Sequence, residues 1–132
     1  MRILPKFAAT ALMTVLSLQT AHAEDIAVPA NRETAVNFVT GVTDNCHNIA
    51  KPKMKVVKEP AHGTVRFQWV KYKIQNISRI CDGRPAWGMA ILFKPASGYR
   101  GKDSFTFGVT MQKYEGSSFT QYKQGTMSVV VK

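Results

Sequence analysis

Five cations sit close together in the chain: Lys51, Lys53, Lys55, Lys58 and Arg66. The lysines at 51, 53 and 55 recur with the period of an extended strand, so they would line one of its faces. Ammonium groups gathered on one face attract polyanions, anionic lipid surfaces or acidic polymers, and the attraction weakens with salt. Tyr72 and Tyr122 are candidates for exposed aromatic neighbours. A second reading stays open, in which lysines on an edge strand block sheet-to-sheet aggregation and hold no ligand.

Other residues with chemical potential read as structural. Cys46 and Cys81 are the two cysteines, with no CxxC spacing. In an exported chain, a lone even pair predicts a disulfide. Cys46 and His47 would need to converge to act as nucleophile and base. Adjacent side chains in an extended chain point apart, and an oxidising compartment caps the thiol. His62 lies in a turn block. Met54, Met89, Met111 and Met127 fall on inward faces and read as core rather than as a copper site. No Ser-His-Asp set, phosphate-binding glycine loop or HExxH is present. Carboxylates are few and scattered, so paired acid/base catalysis has little material. The expectation is no catalytic residues, no metal and no cofactor.

Residues 1–23 read as a leader outside the fold. Arg2 and Lys6 flank an apolar run from Phe7 to Leu18, and Ala21-His22-Ala23 offers a small-x-small cleavage site. That is the pattern of a secretory signal peptide, too short to span a membrane. No transmembrane segment is expected in the rest. Residues 24–132 then make one domain, large enough for its own core. Taking Arg2 and Lys6 away lowers the net charge from +10 to +8.

The elements that must position these residues are strands. Period-2 alternation is common after Ala23, and helical periodicity is missing. Strands are expected at Ile26–Val28, Thr34–Val42, Lys53–Lys58, Thr64–Lys73, Trp87–Lys94, Ser104–Met111 and Phe119–Lys132. Within Thr64–Lys73 the apolar phase shifts, from Val65, Phe67 and Trp69 to Val70 and Tyr72. That shift predicts a bulge or a strand end. Phe67, Trp69, Trp87, Ile91, Phe105, Phe107 and Val129 are expected to form one core. About seven strands without crossover helices argue for an antiparallel sandwich.

Two blocks carry a family resemblance. Pro60-Ala61-His62-Gly63-Thr64-Val65, followed by Phe93-Lys94-Pro95, Gly98-Tyr99 and Gly101-Lys102-Asp103-Ser104-Phe105-Thr106-Phe107, resembles the bacterial immunoglobulin-like and cadherin-like repeat domains. The resemblance spans roughly Ile26 to Lys132. It implies a Greek-key β-sandwich in a periplasmic or secreted bacterial protein, of the kind found in adhesins and cell-envelope proteins, and no enzyme. On the residues alone, Gly63, Gly98 and Gly101 are suited to positive φ at turns. Asp103 reads as a local Asx-type cap, because one carboxylate is too few for calcium.

The sequence thus predicts a non-enzymatic binding or envelope-associated module with a basic face for an anionic polymer or envelope surface. The alternative is an accessory subunit that pairs with a larger protein partner by strand addition.

Overall fold

The computed structural model describes residues 24–132. The leader read in residues 1–23 lies outside them. Seven strands follow in chain order: β1 (Ile26–Val28), β2 (Thr34–Val39), β3 (Lys53–Lys58), β4 (Gly63–Lys73), β5 (Pro85–Pro95), β6 (Gly101–Gln112) and β7 (Thr120–Val131). Every expected strand is present, with some ends moved: β2 stops at Val39 rather than Val42, and β6 starts at Gly101 rather than Ser104.

The strands form two sheets, ordered β1-β7-β6-β3 and β2-β5-β4. One pairing departs from the antiparallel expectation, because β1 runs parallel to β7. The chain ends hold this edge: Ala30 N–H donates to Lys132 O and Lys132 N–H to Val28 O, both at 3.0 Å.

Alternate residues of both sheets meet between the layers. Val28, Val36, Ile91, Phe93, Phe105, Phe107, Val109, Val129 and Val131 are buried together. Phe93 and Phe105 stack across the sheets with centroids 6.1 Å apart. Met54, Met111, Met127, Val65 and Phe67 pack around this cluster, and Met89 is buried. The expected core is corrected at two positions. Trp87 is 42% exposed and Trp69 is half-buried. They stack on each other at 6.3 Å, outside the main cluster. At the same end of the sandwich the inward positions of β7 are Gln121 and Lys123, beside Val109 and Met111 of β6, so the apolar surface of the facing sheet narrows there.

The phase shift in β4 has a different cause from a bulge. β4 pairs with β5 in unbroken register from Gly63↔Pro95 to Lys73↔Pro85. The apolar positions change sides because the outer face of this sheet is itself covered. Cys46 and Cys81 form a disulfide, with Cα atoms 5.3 Å apart. They bury against Ile74 and Ala86, with Tyr72 and Val42 packed alongside. Phe38 covers Gly88 and meets the Tyr72 ring edge-on at 4.9 Å, while Tyr72 Oη and Thr40 Oγ1 are hydrogen-bonded at 2.5 Å. Asn48 clamps the main chain of Trp87 with both of its amide atoms, at 2.6 and 3.0 Å. Half of β4 therefore packs inward and half outward.

The two ends of the sandwich differ. Short turns 29–33, 59–62 and 96–100 close one end, and the longer connections 40–52, 74–84 and 113–119 gather at the other. At the short-turn end Asp103 reaches well beyond its own turn. Its carboxylate accepts Ser104 N–H locally at 2.8 Å, and also Ala61 N–H at 3.1 Å and His62 N–H at 2.9 Å. His62 stacks on Tyr99 at 4.0 Å, and Tyr99 Oη donates to Lys102 O. The two sequence blocks are thus one physical unit. Gly63 is needed for close approach rather than for positive φ: a Cβ there would lie 2.6 Å from Lys94 O and 2.8 Å from the Phe93 ring. Gly98 does adopt positive φ, at 77°. Asp103→Ala removes an ionic acceptor shared by three N–H groups and is expected to cost about 2–3 kcal/mol. Urea unfolding measures it, and a change under about 0.5 kcal/mol would show that water replaces the carboxylate at no cost.

Candidate anion-binding face

β3 is an edge strand, paired only with β6. Met54 and Val56 face the other sheet half-buried, while Lys53 and Lys55 point outward and are exposed. Simple alternation would turn Lys58 inward. A bulge at Val57 prevents this, because the register steps from Val56↔Phe107 to Lys58↔Thr106. Lys53, Lys55 and Lys58 consequently pair with Thr110, Gly108 and Thr106, successive outward positions of β6. Their Cα atoms form a row with a repeat of about 7 Å, two residues of strand rise.

The neighbouring strands supply polar and aromatic groups. Gly108 leaves room for the Tyr122 ring to lie over β6, and a Cβ there would come within 2.7 Å of Tyr122 Cε2. The ring reaches Lys55, whose Nζ sits 5.0 Å from its centroid. That distance suits a cation–π contact. Gln124 Nε2 donates to Tyr122 Oη at 3.0 Å. Thr106 and Thr126 hydroxyls are bonded at 3.0 Å. Lys51 lies just before β3 and, with Lys53, borders a groove of about 250 Å³ that also touches Thr110, Gln112 and Thr120. Among the described residues, none of these four lysines forms an ion pair.

Arg66 does not belong to the group. It sits on β4, in the other sheet, on that sheet's outer face. Its guanidinium grips Glu33 with two bonds, Nε to Oε2 at 2.8 Å and Nη2 to Oε1 at 2.5 Å. The hydrogen bond from Arg66 holds the Glu33 carboxyl below its usual range, and the carboxylate pushes the guanidinium up. The pair therefore supports the fold above the ordinary carboxylate range, and its support is lost as pH falls through the lowered Glu33 value. Proximity in sequence placed Arg66 with the lysines, but a turn and a change of sheet lie between them. Tyr72 is also excluded from this face, since it packs under Phe38. Gly108 and Gln124 escaped the sequence reading. The signal for Gly108 is a glycine inside a strand pattern, which marks close approach by another group.

No three His, Cys, Asp or Glu side chains among the described residues converge as metal ligands would. His47 and Cys46 do not make a reactive pair: Cys46 is bonded to Cys81, and His47 Nδ1 lies 4.0 Å from Glu115 Oε1. No helix among the described residues is long and apolar enough to cross a membrane. No protein-family model matches the chain, and neither the curated proteins nor the solved structures contain a match.

Proposed function

We propose that residues 24–132 form an exported, immunoglobulin-like binding module without enzymatic activity, which holds an extended anionic polymer or an anionic envelope surface. The observation that carries this is the row of Lys53, Lys55 and Lys58, brought into line by the bulge at Val57. Evenly spaced, unpaired cations beside hydroxyl groups and one tyrosine face suit a ligand with repeating charge more than a single small anion. Export rests on the leader pattern in residues 1–23 and is in keeping with the disulfide. The strand orders β1-β7-β6-β3 and β2-β5-β4 support an immunoglobulin-like, Greek-key reading.

The test is retention of the protein on a polyanionic resin. Lys53→Glu with Lys55→Glu is expected to abolish retention and leave the unfolding transition in place. If three contacts carry the binding, raising salt from about 50 to about 200 mM should weaken it a few tens of fold. Arg66→Ala is expected to leave retention unchanged. Unaltered retention of the charge-reversed protein would reduce the lysines to a solvated edge.

One observation favours strand addition as a second reading. β4 is an edge strand of eleven residues with no bulge and no proline, a free template for an extended partner segment. Binding of that kind would resist salt.

A further inference from the structure

The end of the sandwich opposite the short turns carries a different surface. Three connections converge there. The Cys46–Cys81 disulfide joins 40–52 to 74–84, and the His47–Glu115 contact brings 113–119 beside 40–52. Large apolar side chains stand at the tips: Ile77 is 62% exposed, Ile80 69%, Tyr114 63% and Phe119 66%. Apolar side chains scattered singly over a surface are ordinary; here four stand on two loops that both adjoin 40–52. They are not loose ends. Asp82 Oδ1 accepts Ile77 N–H and Ser78 N–H at 3.0 and 3.3 Å, and Ser78 Oγ accepts Cys81 N–H at 3.1 Å. Lys113 N–H donates to Phe119 O at 3.1 Å, and Ser117 N–H to Tyr114 O at 3.1 Å. The tips are held outward by bonded turns.

Cations share this end of the sandwich. Lys71, Lys73, Arg79, Arg84, Lys113 and Lys123 are all exposed in these loops and adjoining strand ends. The carboxylates at this end are Asp44, Asp82 and Glu115; Asp82 is engaged by its own turn and Glu115 faces His47. The balance is positive.

The geometry points to end-on docking of this tip on an anionic lipid bilayer, with Ile77, Ile80, Tyr114 and Phe119 entering the interfacial layer and the lysines and arginines of the same end meeting lipid phosphates. Two features favour a bilayer over a protein. The apolar side chains project from separate loops rather than forming one flat patch, and a fluid phase takes separate tips without needing matching pockets. The long cationic side chains of the same loops and strand ends fit headgroup anions, and such chains lay their stems along apolar matter while keeping the charge in the headgroups. This surface shares none of its named residues with the lysine row on β3 and does not depend on that reading.

The experiment uses residues 24–132, which carry the whole sandwich. Co-sedimentation is measured with vesicles of phosphatidylcholine alone and with vesicles of phosphatidylcholine and phosphatidylglycerol in equal parts. The protein is expected to sediment with the second and not the first. Ile80→Ser with Phe119→Ser, which leaves the net charge unaltered, should weaken this by about tenfold or more, with retention on polyanionic resin unchanged. Phe119→Trp should keep binding and show a blue-shifted emission on anionic vesicles, and should do so also when Lys53 and Lys55 are reversed. Undiminished sedimentation of the double serine variant, no emission shift from Phe119→Trp, or equal binding to neutral vesicles would each overturn the proposal.

Discussion

Phe105→Ala is expected to lower the unfolding free energy by about 3–5 kcal/mol, the range for emptying a fully packed aromatic site. Phe105 has no exposed surface. It stacks on Phe93 at 6.1 Å from the facing sheet and meets Phe107 at 6.4 Å along its own strand. Its neighbours sit on paired β-strands, whose hydrogen-bonded ladders resist collapse into the gap. Urea unfolding should show an earlier midpoint with an unchanged slope. A loss below about 1 kcal/mol would mean that the ring does not bridge the two sheets.

Removing the disulfide is expected to have an effect of similar size by another route. Cys46 and Cys81 are 35 residues apart, and the chain-entropy model gives a loop of that length about 4 kcal/mol at 25 °C. A Cys46→Ala, Cys81→Ala protein should therefore unfold much earlier than the parent. The loss should also be local in the native state. The bond caps Ile74 and Ala86 on the outside of the β2-β5-β4 sheet, so amide protection should fall in 40–52 and 74–84 before the strands lose theirs. Alkylation followed by mass measurement should label no cysteine before reduction and both after it. Two labelled thiols in native protein, or an unchanged unfolding midpoint in the double variant, would contradict this account.

Much of the sandwich is legible in the chain because period-2 alternation reports directly on which residues face inward. Ile91, Phe105, Phe107 and Val129 are found in the core that their spacing implies. Alternation says nothing about what covers a sheet from outside. The switch at Val70 and Tyr72 therefore looks like a slip in register when it records a second apolar layer beneath the disulfide. Trp87 fails for the converse reason. It occupies an inward position, but whether an inward position is buried depends on what the opposite sheet offers at that level. The candidate site divides similarly. The strand period identifies Lys53 and Lys55, whereas the ion pair that removes Arg66 joins residues 33 apart in the chain and leaves no trace in local spacing. Tyr122 reaches Lys55 only because residue 108 has no side chain.

The bulge at Val57 uncouples the charged row from the length of its strand. Val57 is the one residue of β3 that the register step absorbs, so Lys58 meets Thr106 although three positions separate it from Lys55. Deleting Val57 would set Lys58 two positions after Lys55, still outward in a regular strand. Two chains that differ by that single gap would thus present the same row to a polyanion. What turns Lys58 inward is closure of the bulge with every residue kept, a change of register that leaves length, composition and net charge untouched. An edge strand, held by one neighbour only, is where such an extra residue is absorbed most readily.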